Sequence, residues 1–153
     1  MATTVVGGAV PKVAIVTGAN KGIGYHIAHQ LCKSCGMDVI IGCRDPERGQ
    51  QAAEELGARY MPLDLSRDDS IDEFVARFTA EVGRLDVLVN NGATAFKDAD
   101  PTPFEQQTGP TLRVNFWGTV HLTDALLPLL RKSEACGNRP RLVMVASSAG
   151  RLG

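Results

Sequence analysis

No apolar run in this sequence is long enough to span a bilayer, which needs about 20 residues as a helix. Lys and Arg nowhere cluster, and the formal net charge is -1, so a phosphate-backbone footprint is missing and nucleic acid is not an expected partner. The opening "MATTVVGGAV" has neither the basic start nor the apolar core of a secretory signal. It reads as a flexible lead over residues 1–11, and the protein is expected in the cytoplasm. Metal ligands are also scarce. The three histidines show no ligand spacing, and the "CKSC" of Cys32 and Cys35 has no second C-x-x-C to complete a zinc cage. Cys32, Cys35, Cys43 and Cys136 are expected to be reduced thiols, and no metal is expected.

What is present is a strict alternation of strand-like and helix-like segments in 153 residues that are 44% hydrophobic. "KVAIVT" (12–17), "DVIIGC" (38–43), "RYMPLDL" (59–65), "LDVLVN" (85–90) and "RLVMVAS" (141–147) are short apolar runs rich in β-branched residues. Between them lie helical patterns. The first begins at Gly22, with Ile23, Ile27 and Leu31 on its core face and Gly36 as its stop. Asp45 and Pro46 fit the N-cap and first turn of a second helix, "PERGQQAAEEL", that ends at Gly57. Ser66 is read as the cap of a third, whose core face is Ile71, Phe74, Val75, Phe78 and Val82. A long fourth helix is expected over roughly 111–131. Near-continuous hydrophobic strands alternating with helices predict a doubly wound α/β fold, a Rossmann-like parallel sheet covered on both faces, over residues 12–153.

In such a sheet ligands gather beyond the C-terminal strand ends, so the residues there are the functional candidates. The first strand runs into "TGANKGIG", which places Thr17, Gly18, Asn20, Lys21, Gly22, Ile23 and Gly24 in a loop opening onto a helix N-terminus, where a dinucleotide pyrophosphate can sit. The loop lacks the Gly-Lys-Ser/Thr ending of a P-loop, so ATP hydrolysis is not indicated. After the second strand, Cys43 stands where an acid would meet a ribose 2′-hydroxyl, and Arg44 follows it. Arg44 with Lys21 favours a 2′-phosphate and hence NADP(H); the alternative is that Arg44 pairs with Asp45 at the surface. Asp64 and Leu65 follow the third strand, Asp64 either accepting from an adenine amino group or serving as a turn residue. Asn91 and Gly92 follow the fourth, where small residues let a cofactor lie flat, or where Asn-Gly simply turns.

The "TGxxxGxG" spacing, "LDVLVNN", "RVNFWGT" and "VASSAG" together resemble the short-chain dehydrogenase/reductase superfamily, and "RDPERGQ" with "LDVLVNNGATAFKDADPTPF" is most like its NADPH-dependent carbonyl reductases. That resemblance implies reduction of ketones, aldehydes or quinones to alcohols, a small-molecule carbonyl substrate and a monomeric full-length enzyme. It implies that Asn115 is the asparagine holding a water in the proton relay, unless it only bonds within its helix. It implies that Ser148 hydrogen-bonds the substrate carbonyl, with Ser147 as the alternative. Ala95, Phe96 and Lys97 are similar to a loop that accepts glutathione-bearing substrates. The family's Asn-Asn-Ala-Gly stands here as Asn90-Asn91-Gly92-Ala93.

One element of the resemblance is missing. The family's proton donor is a tyrosine followed by lysine at the fourth position, and the only tyrosines are Tyr25 and Tyr60, neither so followed. A complete enzyme of this kind needs roughly 250 residues. The expectation is an N-terminal fragment, truncated after the fifth strand, inactive alone and prone to association through its bare edge. The alternative is a non-catalytic NADP(H)-binding or interaction module derived from such an enzyme.

Overall fold

The computed structural model describes residues 10–97 and 99–147. Five parallel strands form one sheet in the order β3-β2-β1-β4-β5, where β1 is Val13–Thr17, β2 Asp38–Cys43, β3 Arg59–Pro62, β4 Val87–Asn90 and β5 Arg141–Met144. β1 is central: the chain winds outward to β2 and β3, then returns to place β4 on the other side of β1. The reversal lies between β1 and β4, with Ala14 opposite Val87 and Val16 opposite Val89.

Period-two alternation sends the strand side chains into two separate cores. Ala14, Val16, Val39, Ile41 and Val89 face α1 (Gly22–Lys33) and α2 (Pro46–Leu56), where Ala28, Ala52, Ala53 and Leu56 pack against them. Val13, Ile15, Ile40 and Leu88 face α3 (Asp68–Glu81) and α5 (Thr119–Ala135). There Ile71, Phe74 and Phe78 meet Leu122, Leu126 and Leu130, the two phenyl rings stacked with centroids 6.4 Å apart. Each of these fully buried large side chains stabilises the fold by about 1.5–3 kcal/mol.

α2 has the predicted bounds. Asp45 accepts the Arg48 N–H at 3.0 Å, Pro46 occupies the first turn, and Gly57 ends the helix at φ +70°. The core face of α3 is also as expected, with Val75 and Val82 partly buried beside the three central residues.

Several expectations are corrected. Ile23 does not join the α1 core face; it is 67% exposed, and Gly24 and Ala28 are the buried residues. The reason is the close approach that Gly24 makes to the strand ends, which rotates the buried stripe onto the small residues. β3 stops at Pro62, not Leu65, because Asp64 Oδ1 accepts the Ser66 N–H (2.9 Å) and hydroxyl (2.7 Å) and turns the chain. That use of its hydroxyl also removes Ser66 as a helix cap: the N-cap of α3 is Arg67, without a side-chain bond. β5 stops at Met144 rather than Ser147.

The fourth helix is longer than expected and broken in its pitch. It starts as α4 (Phe104–Leu112), passes through a π-helical turn (Arg113–Gly118), and continues as α5. Pro110 and Pro128 sit inside it. Gln106 and Asp124, one turn earlier, lose a backbone donor to these prolines, and both are exposed to water. All residues of β5 are exposed, Leu142 by 47% and Met144 by 56%. Among the described residues no helix is long and apolar enough to cross a membrane.

Candidate functional site

A cleft of about 660 Å³ opens at the C-terminal ends of β1, β2, β3 and β4, where the strand order reverses. Thr17, Gly18, Asn20, Lys21, Gly22, Ile23, Gly24, Arg44, Asp64, Leu65, Asn91 and Gly92 all line it. Gly42, Cys43, Asp45, Arg48, Leu63, Ala93, Thr94, Ala95 and Val114 complete the wall.

The floor is the glycine loop. Gly18, at φ +65°, donates its N–H to Gly42 O at 2.7 Å, and a Cβ there would sit 2.8 Å from Gly92 Cα. Thus the ends of β1 and β4 touch backbone to backbone. Gly22, at φ +60°, faces open space, with no atom within 4 Å of where a Cβ would be. No side chain caps the α1 N-terminus that follows. The first-turn amides and the positive end of the helix dipole therefore point at a cleft that has room for an anion.

Two predicted contacts turn out to brace this floor. The Thr17 hydroxyl, buried, accepts the N–H groups of Asn91 (3.0 Å) and Gly92 (2.8 Å). The Asn91 amide donates to Thr17 O (2.9 Å) and Gly18 O (3.2 Å). Gly92 packs so closely that a Cβ would meet Leu65 Cδ1 at 3.0 Å and Thr17 Oγ1 at 3.1 Å, so the Gly-before-Ala order puts the smaller residue at the tight position. Asn90 points the other way, its amide donating to Thr123 Oγ1 at 2.9 Å.

The β2 end carries the charge. Cys43 is buried, its thiol donates to Asp45 O at 3.5 Å, and burial pushes its pKa up, so the position is neutral. Asp45 pairs with Arg48 at 3.4 Å; among the described residues Arg44 has no ion-pair partner. Arg48 is a cleft residue that sequence reasoning missed. Its signal was available: a helix starting at Pro46 puts Arg48 in the first turn, beside the end of β2. Thr94 and Val114 had no local signal.

Asn115 does not line the cleft. It sits in the π-helical turn, where Oδ1 accepts the Thr94 N–H and Nδ2 donates to Thr94 O, both at 2.8 Å. Ser148 lies outside the described residues. Of the Ala95–Lys97 loop, only Ala95 lines the cleft. The cysteines are free, and the described residues hold no group of ligands suited to a metal ion.

Behind the Asp64 wall, α3 and α5 meet through charges. Asp68 Oδ1 accepts from Arg113 (2.6 Å) and His121 Nδ1 (2.8 Å), and His121 Nε2 is 2.9 Å from Asp72 Oδ1. The Asp68 hydrogen bond holds the imidazole pKa above its ordinary value, and the Arg113 bond holds the Asp68 carboxyl below its own. A raised histidine contributes stability in full below its unfolded pKa of about 6.5, and loses it as pH rises through the higher folded value. Melting temperature is expected to fall as pH passes from about 6 into the alkaline range, and His121→Gln should flatten that slope. Circular dichroism melts of both proteins across this range check it; parallel profiles would remove His121 as the cause. At the acid end, the Asp68 contribution is present above about pH 3.9 and disappears as pH falls through its lowered pKa.

Residues 12–153 match the sequence family described as short chain dehydrogenase. The chain is 46% identical over 124 residues to carbonyl reductase (NADPH) 1 of Mus musculus, covering 78% of this chain and 45% of that protein. It is 42% identical over 144 residues to the Sus scrofa carbonyl reductase (NADPH) 1, covering 91% and 48%. The chain thus spans about half the length of these curated relatives. Among solved structures, the Pseudomonas aeruginosa RhlG/NADP active-site complex superposes with a TM-score of 0.84 at 30% identity, over 93% of this chain and 57% of that one.

Proposed function

Because the chain belongs to the short chain dehydrogenase family, we propose that its cleft takes NADP(H) in the service of carbonyl reduction, converting ketones, aldehydes or quinones to alcohols. The observation that carries this is the uncapped α1 N-terminus behind an open Gly22, ringed by Lys21, Arg44 and Arg48, with a neutral Cys43 where an acid would repel a 2′-phosphate. The relatives' own names, carbonyl reductase (NADPH) 1, support the same cofactor and chemistry.

In this reading the amides of Gly22, Ile23 and Gly24 hold the pyrophosphate, and Lys21, Arg44 and Arg48 hold the 2′-phosphate by charge-assisted hydrogen bonds. Asp64 and Leu65 border the adenine, and Asn91 with Gly92 borders the ribose on the nicotinamide side. The bound cofactor supplies a hydride to the carbonyl carbon. Ser148 donates a hydrogen bond to the carbonyl oxygen, and Asn115 keeps the Thr94 segment in place beside the reacting end. The oxygen also needs a proton, and neither tyrosine is placed to give it. Tyr25 donates to Glu55 at 3.0 Å and Tyr60 to Cys43 O at 3.2 Å, neither lines the cleft, and both have raised pKa values. This supports a second reading of the 153 residues by themselves: a module that binds NADP(H) without completing reduction.

One titration tests both. The full chain is expected to enhance NADPH fluorescence with an affinity well above that for NADH. Arg44→Ala should weaken NADPH binding about tenfold, the lower range for a charged hydrogen bond at an exposed site, and leave NADH unchanged. Adding a reactive quinone separates the two readings: NADPH oxidation supports carbonyl reduction, and cofactor binding without oxidation supports the binding module. Equal affinity for the two cofactors would overturn the NADP(H) assignment, and quinone-dependent oxidation would overturn the binding-only reading.

A further inference from the structure

The π-helical turn touches both walls of the cleft at once. Asn115 grips the Thr94 backbone on one side, and Gly118 packs against the Leu65 backbone on the other. Arg113, the first residue of the turn, makes a third contact. Its Nε donates to Ser66 O at 3.0 Å while Nη2 donates to Asp68 Oδ1 at 2.6 Å. Ser66 is the residue whose N–H and hydroxyl bind Asp64 Oδ1, and Asp64 lines the cleft. The Asp64 N–H is held in turn by Ser70 Oγ at 2.9 Å. Asp68 is anchored from the far side by His121 of α5. A single forked guanidinium, about one-third exposed, thus ties the π-helical turn to the turn after β3 and to the start of α3, which lie 47 and 45 residues away in sequence.

We propose that Arg113 is a positioning residue: it fixes the Asp64–Leu65 wall so that the cleft keeps its width for the adenine end of the cofactor. The cofactor part of this rests on the reading given above. The fork is the essential feature. Only a planar group with divergent donors satisfies the Ser66 carbonyl and the Asp68 carboxylate together; a lysine ammonium on a flexible stem keeps the ion pair and loses the carbonyl. If Arg113 merely fastened the π-helical turn to α3, the lysine variant would behave as the parent.

The test compares the full chain with Arg113→Lys and Asp68→Asn by hydrogen exchange and by ligand titration. Both variants should speed exchange of the amides of residues 63–67 about tenfold, leave those of β1 and β4 unchanged, and keep a cooperative melt. NADPH affinity should fall by a similar factor, and adenosine 2′,5′-bisphosphate, which carries only the adenine end, should lose as much as NADPH. The proposal is overturned if the lysine variant exchanges and binds within twofold of the parent, or if protection is lost uniformly through the sheet. Should the parent bind neither ligand, the cofactor reading fails, and exchange at residues 63–67 still decides whether Arg113 holds the wall.

Discussion

Asp86→Ala is expected to leave the chain barely folded. The Asp86 carboxylate is only 2% exposed and stands at the opposite end of the sheet from the cleft. Its Oδ2 accepts the Val13 N–H at 2.8 Å, its Oδ1 accepts the Ser133 hydroxyl, and Arg84 Nε lies 3.3 Å away. The backbone joins in, with Asp86 N–H donating to Val13 O at 2.9 Å and Arg141 N–H donating to Asp86 O at 2.8 Å. One residue therefore ties together the starts of β1, β4 and β5 and the last turns of α5. Alanine leaves a buried N–H and a buried hydroxyl without their acceptor and removes the ion-pair partner of the largely covered Arg84. Breaking such a pair costs about 3–5 kcal/mol, a large share of the roughly 5–15 kcal/mol that holds a domain together. Asp86→Asn keeps the volume and one acceptor but turns a donor toward other donors, so a smaller loss is expected, about 1–3 kcal/mol. Urea unfolding monitored by circular dichroism gives both values. A loss below about 1 kcal/mol for alanine would mean that water or Arg84 rearrangement replaces the carboxylate.

Gly118→Ala is expected to be the second most damaging change, although its backbone angles suit alanine. Gly118 has φ -64° and ψ -38°, ordinary helical values at which alanine is favoured over glycine by about 1 kcal/mol. Steric overlap opposes that preference and outweighs it. An added Cβ would overlap the Leu65 carbonyl oxygen and come within 2.9 Å of the carbonyl carbon. These are backbone atoms of a turn held by Asp64 and Arg113, so no rotamer change relieves the clash. Overpacking of this kind costs about 1–3 kcal/mol, and more for valine. The turn must move outward, so NADPH affinity should drop together with the melting temperature. Gly109→Ala is the matched control, since nothing lies within 4 Å of its Cβ position. It should be neutral or slightly stabilising. Equal melting temperatures for the two variants would show that the π-helical turn does not press on the cleft wall.

Much of the architecture was legible because its signals are local. The β-branched runs, the Asp45-Pro46 start and Gly57 stop of α2, and the apolar stripe of α3 each depend on the conformational preferences of a few neighbouring residues. The glycine loop belongs to the same class, since φ values of +65° and +60° at Gly18 and Gly22 are ones that glycine adopts without strain. Where a local signal misled, a contact from elsewhere had intervened. Ile23 fits the helical period and yet lies exposed, because the Asn91 amide and the Gly18 carbonyl crowd the α1 face at Gly24, with Gly18 O only 2.7 Å from a Cβ there. Ser66 has the chemistry of a cap but spends its hydroxyl on Asp64.

The sequence by itself determined a doubly wound parallel sheet and a glycine loop that opens onto a helix N-terminus, since both follow from short-range backbone preference and from periods of 2 and 3.6 residues. Only the tertiary structure decided that Asn91 braces the glycine loop rather than merely turning the chain. It alone decided that Asn115 grips Thr94 from a π-helical turn, and that Arg113 and His121 meet the start of α3. Those partners are 21 to 74 residues apart in sequence. They meet because a parallel sheet returns each crossover to the same end of the molecule, and nothing in the spacing along one chain records which side chains will face each other there.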